Sequence, residues 1–222
     1  MDRDEKPVGL PYGAYARFIL LFLQSEAVRS GSREIELGRN MHIWLGKMNL
    51  PVGGETYRLA NDQARRISHC TLSFHASRGD REMMRRCGFV TGAIYLRDTL
   101  DDQPSLWQER ALLDETFFRV LREHPVPVSE AALRGIGSRS LVLDIYIWLA
   151  YRLHALKKDT PVSWLSLHTQ FGFGFDRLRA FRNHFIEVLE MALAAYPEAR
   201  VSIGDDGSSI VLHPSKPPIP KL

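Results

Sequence analysis

Between Ser140 and His213 the chain runs through four patterns whose order leaves few ways to fold. Residues 140–158 place Leu141, Ile145, Trp148, Leu149, Leu153 and Leu156 at helical spacing, which predicts an amphipathic helix of about five turns. Asp159-Thr160-Pro161 is expected to end it, because proline lacks a backbone donor and disfavours helical geometry in the residue before it. In SWLSLHTQFG, Ser163 offers an N-cap and Gly172 a stop, so a short second helix follows. A third helix is expected within 173–197, with Leu178, Phe181, Phe185, Val188 and Ala192 on one face. Arg177, Arg179, Asn183 and His184 fall away from that face, and Arg182 sits at its margin. Val201, Ile203, Ile210 and Leu212 then alternate around Asp205-Asp206-Gly207, the pattern of a two-stranded hairpin. Helix, short helix, basic helix and hairpin is the order of a winged helix.

The first half follows a similar order. After Leu10-Pro11-Tyr12-Gly13 a helix is expected to about Ser30, with Phe18, Leu21, Phe22, Ser25 and Val28 along one side and Gly31 as its stop. REIELG (33–38) alternates like a short strand, and 39–50 returns to helical spacing through Met41, Trp44, Leu45 and Met48. Past the turn 51–54, Thr56 is read as the N-cap of a basic helix. Leu59, Ala60 and Ile67 turn inward there, and Arg58, Asn61, Arg65 and Ser68 line the opposite face, with Arg66 beside them. A hairpin wing follows: strand 71–76, a basic tip carrying Arg78 and Arg81, and a second strand from Cys87 to Leu96.

These patterns predict an α+β chain of tandem winged-helix domains, mostly helical with β-hairpin wings. The expected division is a first domain over 10–99, a connector over 100–128, a second domain over 129–213 and a proline-rich tail over 214–222. Leu112, Leu113, Phe117, Val120 and Leu121 are expected to pack between the halves, and Ser129 to cap a short helix. Trp44, Trp148, Trp164 and Phe181 are the expected core markers.

Charge distribution says more than the formal total of +3. Residues 58–86 hold seven arginines against three acids, and 98–118 hold six acids against one arginine, as in a nucleic-acid face backed by a solvated linker. Arginine reaches guanine O6 and N7 as a two-pronged donor, asparagine matches adenine, and either cation binds phosphate. Two helices each offering arginine and asparagine therefore carry the side chains for reading duplex DNA. The competing reading is a solvated helix face, since arginine favours helices anyway.

Other chemistries find little support. There is no GxxxxGK[ST] phosphate loop, no GxSxG elbow and no histidine cluster beside a tyrosine suited to nicking a strand. FGFGF lacks a preceding strand fit for a dinucleotide turn. His69, Cys70, His75 and Cys87 match no zinc spacing, and two cysteines make no disulfide framework. No catalytic residue, metal or cofactor is expected. The apolar run Phe18–Leu23 is far short of a membrane span, so a soluble, cytoplasmic protein is expected.

LPYGAYARFILLFLQSEAVRSGSREIELGRN (10–40), FFRVLREHPVPV (117–128), SLVLDIYIWLAYRL (140–153), SWLSLHTQFG (163–172) and AYPEARVSIGDDGSSIVLHPSKPPI together resemble the RepA-type plasmid replication initiators. The blocks fall in order over about 10–219. The resemblance implies paired winged-helix domains that bind short direct repeats, iterons, at a plasmid origin. It further implies dimers during repression, monomers at origins, melting of origin DNA and recruitment of host initiator and helicase proteins. By position, Arg58, Asn61 and Arg65 would lie on the first DNA-facing helix and Arg177, Arg179, Arg182 and Asn183 on the second. Ala16, the 40–50 segment and the tip RGDREMMRR depart from the family's usual pattern. An initiator-derived repressor, a subunit of another nucleic-acid complex and a protein-interaction module stay open beside the initiator.

Overall fold

A computed structural model of the chain describes residues 7–78, 81–91 and 110–219. The chain divides into two compact units, Met1–Pro125 and Val126–Leu222.

In the first unit, α1 (Gly13–Ser30) ends at Gly31, whose φ of 66° gives the left-handed cap that glycine adopts without strain. Its buried face runs through Ala16, Ile19, Leu23 and Ala27; of the expected stripe Leu21 is buried, Phe18 and Phe22 pack partly buried against the core, and Ser25 and Val28 are exposed. Apolar residues encircle this helix, so periodicity alone does not choose a face. Close packing against α3 (Gly54–His69) selects the small residues, since Ala60 and Ala64 are fully buried on the other side. Between them lie β1 (Glu34–Glu36) and α2 (Met41–Lys47), the latter capped by the Asn40 side chain, which accepts from the Ile43 N–H at 2.9 Å. The N-cap of α3 is Gly53. Thr56 lies one turn inside, buried, with its hydroxyl 3.4 Å from that of Tyr15.

The wing of this unit is β2 (Thr71–Arg78) paired antiparallel with β3 (Arg81–Gly88). Arg78 pairs in register with Arg81, so the strands extend further into the expected basic tip than its charge suggests; Gly79 and Asp80 lie outside the described residues. Residues 92–96 of the expected second strand lie outside the described residues. β4 (Arg110–Leu112) pairs with β1, Ile35 facing Ala111, and α4 (Glu115–Glu123) follows, capped by Asp114. Leu113 is fully buried in the core of the first unit, against which Phe117 and Leu121 also pack, so these residues belong to that unit's core. The preceding β4 pairs with β1, and the Leu113 N–H donates to the Arg33 carbonyl at 2.8 Å, which brings them there.

The second unit begins with α5 (Glu130–Ile136), capped by Ser129, and α6 (Ser140–Leu153). α6 stops five residues before the expected Lys158, because 160–163 form β5 (Thr160–Ser163). Pro161 is tolerated there because β5 is an edge strand, paired on one side only. Then come α7 (Trp164–Phe171), α8 (Leu178–Ala194), β6 (Arg200–Ile203) and β7 (Ser209–His213), in a sheet of order β5-β7-β6. Ile145, Tyr146, Leu149, Phe181, Phe185, Tyr196, Ile210 and Leu212 are fully buried; Trp148, expected in the core, is only half-buried, its ring edge-on to Phe171. Residues 214–219 are fastened, not a loose tail. The Tyr196 hydroxyl donates to the Lys216 carbonyl, and the Ser215 N–H donates to the Leu153 carbonyl at 3.2 Å.

Both units thus carry helix, strand, helix, helix and hairpin in that order, an α+β, winged-helix-like architecture. In the second the strand before the short helix joins the wing sheet; in the first it pairs with β4 instead.

Candidate nucleic-acid interface

α8 buries Phe181, Phe185, Val188, Leu189 and Ala192, which fixes what its other faces present. At about 100° per residue, Arg179 and Asn183 stand on the far side from that core, and both are exposed. Arg177 occupies the N-cap position, also exposed; neither a capping side chain nor an acid compensates the first turn. The free N–H groups and helix dipole there favour negative charge.

The two edges of this exposed face are held by different parts of the unit. On one edge the Arg182 guanidinium lies over the Trp164 ring, 5.1 Å from its centre. The indole N–H of Trp164 donates to the Gly207 carbonyl at 2.9 Å, which ties the wing turn to the start of α7. Gly207 has φ of 67°, and a Cβ there would come 3.5 Å from Arg182. On the other edge Phe175, in the loop between α7 and α8, packs at 5.4 Å against the His184 ring and edge-on to Phe181. Asn183 and Arg179 therefore lie between a wing turn and a loop, both anchored to the helix itself.

The wing turn carries Asp205 and Asp206. Hydrogen bonds from the backbone and hydroxyl of Ser208 pull the Asp206 carboxyl below its ordinary range, so it stays ionised. This turn is unsuited to phosphate.

In the first unit, Arg58 and Arg65 are exposed on α3, seven residues apart on one face, with Asn61 half-exposed beside them. Arg58 makes only a long 3.8 Å approach to Glu55. Arg66 is turned elsewhere. It holds Asp62 at 2.8 Å, reaches the Leu10 carbonyl and covers the Tyr12 ring at 5.0 Å. Its hydrogen bond to the Asp62 carboxylate raises its pKa above the ordinary value. Buried Gln63 accepts from the Tyr12 N–H at 2.8 Å, so residues 9–12 are strapped along one edge of α3. Gly9 passes so close that a Cβ would clash with the Arg66 guanidinium. Arg78 and Arg81 are register partners of β2 and β3, and Arg86 on β3 is exposed.

Of the residues singled out in the sequence, Arg177, Arg179, Asn183 and His184 gather at the exposed half of α8, and Arg58, Asn61 and Arg65 gather on α3. Arg182 and Arg66 are engaged in packing. Sequence reasoning missed Trp164 as the link to the wing, and it missed the outward Phe173 of the FGFGF stretch. The alternation of phenylalanine and glycine was the available signal. Cys70 and Cys87 are free thiols, their pKa values raised by burial. Among the described residues no three histidine, cysteine or acidic side chains are placed to hold a metal ion. No helix among them is long and apolar enough to cross a membrane.

A family model described as plasmid-encoded RepA protein matches residues 10–165. Comparison with curated proteins gives no match. Among solved structures, a crystal structure of RctB domains 2-3 (RctB-155-483) is similar in fold, with a TM-score of 0.50 at 15% identity, covering 89% of this chain and 78% of that one.

Proposed function

The chain belongs to the family of plasmid-encoded RepA proteins, and on that premise we propose that it is a replication initiator that binds the repeats of a plasmid origin as duplex DNA. The observation that carries this reading is the exposed Arg179–Asn183 face of α8, held between an anchored wing turn and an anchored loop. Arginine and asparagine one turn apart on a helix have the donors and acceptors for neighbouring guanine and adenine edges in a major groove. Arg177, at the helix start, is suited to a phosphate, as are Arg58, Arg65, Arg78 and Arg81 in the first unit. His184, stacked on Phe175, borders the base-reading face. Asn61 is the candidate base reader of α3.

On this reading the protein acts by binding and not by catalysis. Each unit takes a neighbouring stretch of duplex, and melting draws on contacts that favour distorted DNA over straight DNA. Unstacking costs a few kcal/mol per step and is cheapest at flexible steps. Recruitment of host initiator and helicase proteins, and a homodimeric state during repression, complete the proposal.

The test is a titration of labelled duplexes carrying the origin repeats, or the same bases scrambled, at two salt concentrations. Tighter binding of the repeats, lost in Arg179→Ala/Asn183→Ala, supports the reading. Equal affinity for both duplexes defeats it. Maintenance of a plasmid that lacks its own initiator, when the protein is supplied in trans, separates the initiator from a repressor acting on the same array.

A further inference from the structure

The loop between α7 and α8 holds two phenylalanines in different surroundings. Phe175 turns in against Phe181 and His184, whereas Phe173 is fully exposed at 103%. An outward phenylalanine loses the burial that ordinarily stabilises a large apolar side chain. This one is not on a slack segment. The Phe175 N–H donates to the Gly172 carbonyl at 2.9 Å, and His168 Nε2 lies 2.8 Å from the Phe175 carbonyl oxygen. Gly172 approaches His168 so closely that a Cβ would fall 2.5 Å from its carbonyl oxygen, and Gly174 has φ of 89°. Two glycines that side chains could not replace without strain therefore bracket the exposed phenylalanine.

The loop abuts the edge of α8 next to Asn183, and it leads directly into Arg177 and Arg179; Asp176 is its single acid. A cationic surround suits an anionic partner, and on a duplex the apolar group available in the major groove is the thymine methyl. The geometry points to Phe173 as a specificity residue that packs against thymine C5-methyl groups beside the bases read by Arg179 and Asn183. This rests on the DNA-binding reading above and adds a base preference to it.

The full chain would be used to select its preferred duplex from a random pool, and each thymine of that duplex would then be replaced singly by deoxyuridine. Losing one buried methyl is worth roughly fourfold in affinity. The expected result is a loss of about that size at one or two thymines for the wild type, absent at the same positions in Phe173→Ala and retained in part in Phe173→Leu. Because Phe173 is exposed, these variants keep the core, which a circular dichroism melt checks. Unchanged uracil sensitivity in Phe173→Ala overturns the assignment. Uniform weakening on every sequence also overturns it, in favour of a sequence-blind contact. Wild-type affinity of Phe173→Ala throughout overturns it and leaves the residue to a protein partner. If the wild type selects no duplex at all, the DNA-binding reading falls with it.

Discussion

The guanidinium carbon of Arg182 sits 5.1 Å from the centre of the Trp164 ring, and the Trp164 indole N–H in turn donates to the Gly207 carbonyl in the wing turn. An arginine that the sequence offers as a base reader thus also links a helix to a wing.

Arg182→Ala should therefore destabilise the second unit by about 1 kcal/mol, the ordinary scale of a partly buried cation–π contact. Its binding loss should fall on all sequences alike, unlike that of Asn183→Ala, which should relax preference at one position of the site. Thermal melts beside titrations on a panel of single-base variants decide between them. A sharp, single-position loss for Arg182→Ala would contradict the pinning role.

Gly9→Ala and Arg66→Ala should each release the strap over α3. The first brings a Cβ against the Arg66 guanidinium at a backbone φ of 81°, and the second removes the contacts to Asp62, Leu10 and Tyr12. Hydrogen exchange at the Tyr12 amide, which is bonded to Gln63, should accelerate at least tenfold if the release costs about 1.4 kcal/mol. Unchanged protection would show that Gln63 alone holds the segment.

Tyr196 supplies a pH test. Burial, with the Glu198 charge and Tyr146 adding to it, pushes its phenol from 10.0 up to about 12. The folded form thus holds its proton more tightly than the unfolded form. Stability of the second unit should be fully present below pH 10, and roughly 2–3 kcal/mol should be lost as pH rises from 10 through about 12. Tyr196→Phe lacks this dependence on its own phenol and loses the bond to the Lys216 carbonyl. Denaturant midpoints of the two proteins at pH 8 and pH 11 check the sign: the gap between them should narrow at the higher pH.

Arg81→Ala should weaken binding to specific and random duplexes equally and reduce the slope of log affinity against log salt by about one. Identical slopes for variant and wild type would remove Arg81 from the phosphate contacts.

Local signals were the legible ones. The Ser163 cap, the short α7 and the apolar stripe of α8 were readable because each depends on residues within a few positions of one another. β5 was not, because Pro161 argues against a strand until β7 is known to pair with only one of its sides. The strap of residues 9–12 depends on Gln63 and Arg66 more than 50 positions away, and no local pattern announces such a bond. The arginines and asparagine of α8 could be named from the sequence, but separating exposed Arg179 from packed Arg182 required knowing where the wing turn comes back. Likewise, the basic stretch 77–86 hid its strand character, which depends on cross-strand partners and not on its own composition.

The pairing of β1 with β4 sets the order in which the first unit can form. Glu34 and Arg110 meet across 76 positions, with α2, α3 and the wing all contained in the intervening loop. A nascent chain exposes Ile35 and Leu37 well before Ala111 and Leu113 have left the ribosome to cover them. The helices within that loop can condense locally, but closing it carries an entropic cost that grows with the logarithm of its length. The first unit should therefore be the slow, aggregation-exposed step of biosynthesis, and a truncation ending before Arg110 should yield an incomplete fold and not a smaller stable domain.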